Sequence, residues 1–144
     1  MVTFQRVAFE TDGVLRSPIA IGHDEVQVWG VLLEIADSEL PQATSVLSRE
    51  EQERAERLIS GGHRRRSIAA HAMLRAILSR YCGASPEQLA IRRTSDGKPV
   101  LSEYPSIRFN LTHSHGRALI AVARDREVGV DLEQVRREVD VVRL

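Results

Sequence analysis

The stretch His63–Cys82 constrains the fold more than any other part of the chain. Ile68, Ala69, Ala72, Met73, Ala76 and Ile77 recur at helical spacing, and Ala70, Leu74 and Leu78 carry the apolar surface further round. A helix this widely apolar must be covered on several sides, so the pattern predicts a long central helix with other elements packed about it. Gly83 predicts its end. A chain of 144 residues suits one modest domain built on such a core.

Upstream, residues 1–24 are broken by Gly13, Pro18 and Gly22 and read as a loosely attached leader, with the folded unit over 25–144. Val26–Ile35 is rich in strand formers, and Gly30 within it marks a bulge or a close backbone approach. Residues 36–47 read as a connection. Ser48 and Glu51 have the spacing of a capping box, which predicts a helix to about Ser60, stopped by Gly61-Gly62. Ser85-Pro86-Glu87 predicts one short turn.

After the central helix the period changes to two. Asp96-Gly97 predicts a hairpin-type turn between strands near Ile91 and Val100. Ile107, Phe109 and Leu111 alternate with Arg108, Asn110 and Thr112. Ala118–Ala123 is a compact apolar strand, and Val128, Val130 and Leu132 alternate with Gly129, Asp131 and Glu133. Together these predict an α+β fold, with an antiparallel sheet on the long helix.

Twenty basic and twenty acidic residues cancel, so bulk charge argues for neither a nucleic-acid nor a membrane partner, and any anion site must be local. No apolar run approaches the ~18 residues of a membrane span, and the first residues lack the pattern of a signal peptide. The lone Cys82, in apolar company, reads as a structural thiol in a reducing cytoplasm.

Asp131 and Glu133, one residue apart on a strand, would share a face with Cα atoms ~7 Å apart. Two carboxylates so placed can share one hard cation such as Mg²⁺; they equally describe the solvent face of an edge strand. Asn110-Leu111-Thr112-His113-Ser114-His115 gathers groups able to hold phosphate. A His-x-His zinc site on His113 and His115 lacks supporting ligands elsewhere, and a polar loop with satisfied histidines is the plainer alternative. His63-Arg64-Arg65-Arg66-Ser67 opens a helix, where arginines and free N–H groups favour an anion or form a solvated basic turn. Gly97-Lys98-Pro99 alone is a turn with a lysine.

The order of these motifs is more specific than any one of them. LSREEQERA, RRRSIAAHAMLR, DGKPVL, FNLTHS and GVDLE, in that sequence, resemble the large, two-lobed Sfp-type class of 4′-phosphopantetheinyl transferases over roughly residues 26–142. The resemblance implies one α+β lobe of a pseudo-dimer that binds coenzyme A between its lobes and transfers phosphopantetheine to a serine of an acyl or peptidyl carrier protein. It implies Asp131 and Glu133 as Mg²⁺ ligands at the catalytic centre. His113, with Thr112 beside it, would meet the 3′-phosphate of coenzyme A, and Lys98 its phosphates or adenine. Arg66 and Ser67 would add phosphate contacts, and Arg54 lies near the same ligand. The family's second lobe carries a W-x-x-K-E-A motif with a further metal-binding glutamate and a catalytic lysine. Trp29 is the only tryptophan here and precedes every other motif, so that motif is absent. The small class of the family places its G-[IV]-D motif near the N-terminus, unlike this chain. The expectation is an N-terminal lobe, inactive alone, that pairs with a C-terminal lobe or self-associates over an apolar inter-lobe face. A non-catalytic half that binds coenzyme A is the alternative, and a metal-dependent phosphoesterase a third reading.

Overall fold

The computed structural model describes residues 1–7 and 17–135. The central helix, α3, runs over Gly61–Cys82. It buries Ile68, Ala69, Ala70, Ala72, Met73, Leu74, Ile77 and Leu78, the broad face its sequence demands. Gly83 closes it in the left-handed conformation, φ 68°, where a side chain would be strained.

The sheet that α3 covers consists of β1 (Val2–Val7), β2 (Val26–Leu32), β5 (Ile107–Ser114) and β6 (Arg117–Arg124), in the order β1-β2-β6-β5. Three of its strands pair antiparallel, and β1 adds to β2 in parallel, Phe4 opposite Val28. The stretch expected to be a loose leader thus contributes an edge strand and, in Ile21, a buried core residue. Gly30 fulfils the expected close approach without a bulge: a Cβ there would lie 2.8 Å from Cζ of Phe4, across the outer face of the sheet.

Pairing register assigns the two faces. Trp29, Val31, Ile120, Val122, Phe109 and Leu111 face α3, whereas Val28, Gly30, Leu119 and Ala121 face away. β5 and β6 are joined by His115-Gly116, both at positive φ (49° and 79°), which is the two-residue turn whose twist matches antiparallel strands. Trp29 is fully buried and donates its indole N–H to the Tyr81 hydroxyl at 2.8 Å, while Arg80 lies 5.2 Å over its ring.

Between β2 and α3 run α1 (Leu40–Ser45), not anticipated from the sequence, and α2 (Arg49–Glu56). Both hydrogen bonds of the Ser48–Glu51 capping box form. The helix stops at Glu56, not Ser60. Gly61-Gly62, read as its stop signal, are instead the first residues of α3, because the Ser60 hydroxyl accepts the His63 N–H and caps that helix. A 3₁₀ turn at Pro86–Gln88 and a hairpin of β3 (Ile91–Arg93) and β4 (Pro99–Leu101) follow as the sequence predicts, with Gly97 at φ 84°.

The chain beyond Arg124 departs from expectation. Residues 127–133 form no ladder, although Val128, Val130 and Leu132 are half-buried while Gly129, Asp131 and Glu133 are exposed. The alternation is real, but no strand pairs with it. A hydrogen bond ties it to the sheet: the Val130 N–H donates to the Asn110 side chain at 3.0 Å. The terminal run Val139-Asp140-Val141-Val142-Arg143-Leu144, whose sequence reads as the start of a helix, lies outside the described residues.

Candidate functional site

A cavity of about 300 Å³ opens where α2, α3, β3 and β5 meet. Arg54 and Glu50 reach it from α2, His71 from α3, Arg93 from β3, and Asn110 and His113 from β5. Its floor includes Leu74 and Leu111 from the core. Register explains the histidine: His113 pairs with Ala118 and stands on the face that meets α3. The next residue back, Thr112, pairs with Leu119 and stands on the opposite face.

The cavity lining carries two glutamates, Glu50 and Glu51, and two arginines, Arg54 and Arg93, and both carboxylates are paired. Arg54 bridges Glu50 at 2.5 Å. Glu51 is held by Arg75, which is 2% exposed and spends its guanidinium on four acceptors: both Glu51 carboxylate oxygens (2.8 and 3.1 Å) and the carbonyls of Pro86 and Leu89 (2.9 Å each). Arg93 donates to the Gly97 carbonyl at 2.9 Å and has no carboxylate partner among the described residues. The surrounding protein holds His113 below its ordinary pKa of 6.5, first by desolvating the imidazole and then through the nearby His71 and His63.

Of the residues singled out in the sequence, Arg54 and His113 line this cavity. Arg66 is exposed, with Nε 3.9 Å from where a Cβ on Gly116 would stand, so it lies beside the hairpin turn after His113. Ser67, one turn before His71, offers its carbonyl to that ring. Lys98 is engaged elsewhere, in an ion pair with Glu127 at 3.1 Å beside a separate small hollow. Asp131 and Glu133 are solvent-facing, and Asp131 Oδ1 accepts the Leu132 N–H at 2.9 Å. No group of three or more His, Cys, Asp or Glu that could hold a metal occurs among the described residues. The two carboxylates suit a hard cation in kind, and a Mg²⁺ site on them would complete its shell with water and phosphate.

His71 and Arg93 escaped the sequence reading. The signal for His71 was present as a polar line, Ser67, His71 and Arg75, at four-residue spacing down an otherwise apolar helix. Cys82 is half-buried, and desolvation pushes its thiol up to about 11, which keeps it protonated and inert at neutral pH. No helix among the described residues is long and apolar enough to cross a membrane.

Comparison with known proteins agrees with this architecture. The family described as 4′-phosphopantetheinyl transferase, N-terminal, matches residues 34–126, which include the cavity but end before Asp131. The chain is 40% identical to 4′-phosphopantetheinyl transferase HetI of Nostoc sp., over 78% of this chain and 49% of that protein. It is 30% identical to 4′-phosphopantetheinyl transferase psf-1 of Bacillus pumilus, over 70% of this chain and 43% of that protein. Similarity extends at 22% identity to 4′-phosphopantetheinyl transferase Sfp of Bacillus subtilis, over 77% and 50%. The chain spans about half the length of these curated relatives. With the matched region covering the greater part of an α+β lobe built on one long helix, the chain belongs to the 4′-phosphopantetheinyl transferase family, through that family's N-terminal region.

Proposed function

We propose that this lobe supplies the N-terminal half of a Mg²⁺-dependent enzyme that transfers 4′-phosphopantetheine from coenzyme A to a serine of an acyl or peptidyl carrier protein, the remaining half coming from a second lobe. The observation that carries the reading is the double position of Asn110. Asn110 borders the cavity, and its side chain, on the same outward face of β5 as Thr112, holds the backbone of Val130 next to Asp131, so one residue adjoins both the cavity and the carboxylate segment.

In this reading His113, Arg54 and Arg93 receive the phosphates and nucleotide of coenzyme A, and Arg66 and Ser67 support the same end. Thr112 and Lys98 stand away from the cavity, so Lys98 joins the ligand only by exchanging Glu127 for a phosphate. Asp131 and Glu133 would hold Mg²⁺, which when bound neutralises pyrophosphate charge. The carrier serine oxygen attacks the phosphorus that bears pantetheine, the bond to the nucleotide phosphate breaks, and 3′,5′-ADP leaves. The lobe contributes orientation and preorganised charge; the group that takes the serine proton is assigned to the second lobe. The setting proposed is the cytoplasm, with the carrier protein and a second lobe as partners.

The test is carrier-protein labelling with fluorescent coenzyme A. The chain alone should give no labelling and should gain it when a C-terminal lobe is added. Robust labelling by the chain alone would overturn the half-enzyme assignment. Coenzyme A binding without labelling in the mixture would favour a non-catalytic binding half.

His113 gives a second prediction. Its depressed pKa leaves it neutral near pH 7, and a bound 3′-phosphate draws a proton onto it. Affinity for coenzyme A should therefore fall as pH rises from the ligand-free pKa through the higher bound value. His113→Ala should remove that dependence and weaken coenzyme A by about 1.5–3 kcal/mol more than dephospho-coenzyme A. Equal losses for the two ligands would make His113 structural.

A further inference from the structure

Residues 127–133 carry Asp131 and Glu133 past β5 without joining the sheet. Among the described residues, no backbone-to-backbone hydrogen bond links this segment to a strand. In a paired strand the ladder would fix the pleat, and with it the direction of every second side chain. Here another device must do so.

Three features hold the segment. Val128, Val130 and Leu132 are half-buried. Apolar burial is non-directional, so it selects the face turned to the protein and leaves the segment free to slide along it. Glu127 pairs with Lys98 at 3.1 Å, but the two side chains are 70% and 46% exposed, and water screens such a pair. The third feature is Asn110, whose Oδ1 accepts the Val130 N–H at 3.0 Å. An asparagine side chain ends in the same amide group as the backbone, so this bond stands in for one rung of a ladder. It is directional, and it acts on the residue immediately before Asp131. Phe109 and Leu111, to either side of Asn110 on β5, turn into the core and cannot take its place. Asp131 adds no tie of its own to the sheet, since its Oδ1 accepts from the neighbouring Leu132 N–H.

We propose that Asn110 is a positioning residue for the carboxylate pair: its side-chain amide sets the backbone at Val130 and so fixes where Asp131 and Glu133 present their oxygens. This deepens the reading of those two residues as the Mg²⁺ ligands and rests on it. Asn110 touches neither metal nor substrate, and acts only through the segment it holds.

The experiment uses the two-lobed protein, with Mn²⁺ as a hard-cation probe followed by electron paramagnetic resonance and with amide hydrogen exchange over residues 117–133. Asn110→Leu and Asn110→Ala remove the acceptor, whereas Asn110→Asp keeps one. Both acceptor-free variants should bind Mn²⁺ about tenfold or more weakly than the wild type, the effect expected of a group that orients metal ligands. Their Val130 amide should exchange faster, while the amides of β6 stay protected and report an intact sheet. Asn110→Asp should restore slow exchange at Val130, which a role in general packing would not predict. Wild-type affinity for Mn²⁺ in the acceptor-free variants, with Asp131→Asn binding weakly, overturns the positioning role and leaves the metal pair standing. If Asp131→Asn also binds Mn²⁺ as the wild type does, the metal reading fails and the positioning role with it.

Discussion

Asp131→Ala in the two-lobed enzyme should remove Mg²⁺-dependent transfer and leave thermal unfolding of the lobe unchanged. The carboxylate is solvent-facing, and its one hydrogen bond is to the N–H of its neighbour Leu132. Nothing in the core depends on it, so a change in melting temperature is not expected. Its proposed role is half of a cation site. Losing the charge stabilisation a metal gives to phosphoryl oxygens amounts to several kcal/mol, or about 10³-fold or more in rate. Asp131→Asn sharpens the test, because the amide oxygen can still accept from Leu132 while the charge is gone. Melts with and without Mg²⁺ should show metal stabilisation in the wild type and none in either variant. Retained activity in Asp131→Asn would remove this residue from the metal site.

Arg75→Ala should be the most destabilising single change in the lobe. Arg75 is the one charged residue among the buried residues of α3, and its four hydrogen bonds join α3 to the start of α2 and to the 3₁₀ turn. Removing it strands the half-buried Glu51 carboxylate and two carbonyls. Breaking a buried pair by deleting one partner costs about 3–5 kcal/mol, which for a lobe of ordinary stability is a large share of the total. Arg75→Lys should recover only part of this, because an ammonium cannot match the two parallel bonds to Glu51. The double variant Arg75→Met with Glu51→Gln should be more stable than Arg75→Ala, since no unpaired charge remains. Denaturant unfolding of the series checks the order, and a loss under about 1 kcal/mol in Arg75→Ala would mean that Glu51 finds water instead.

Glu51 also shows where reading a sequence stops. Its spacing from Ser48 announced the capping box, because that device is local and both hydrogen bonds close within four residues. Its bond to Arg75 depends on two helices meeting across 24 residues of chain, and no local pattern announces that. The same divide runs through the fold. The long helix, the hairpin at Gly97 and the alternation of β5 were legible because their periods are intrinsic to the segments. β1 was not, since a parallel edge strand takes its meaning from β2, which begins 19 residues after β1 ends. Gly61-Gly62 misled because glycine punctuates a helix on either side, and the Ser60 hydroxyl decides which. Asp131 and Glu133 kept the exposure that alternation predicts but gained no strand, since the open edge of β5 meets them through one Asn110 side chain and not a ladder. Within the site, His113 was visible as part of a motif. Its companions His71 and Arg93 come from other elements, and only the packing of α3 against β3 and β5 assembles them.

Trp29 has a practical consequence of its own. It is the single indole in the chain, sealed in the core, hydrogen-bonded to Tyr81 and stacked under Arg80, and it does not line the cavity. Its fluorescence is therefore a one-channel reporter of the core. Emission should start at short wavelength and shift to the red only when the core opens to water. Nucleotide entering the cavity should leave it almost untouched. Stability and ligand occupancy can then be followed in the same sample as two optically separate signals.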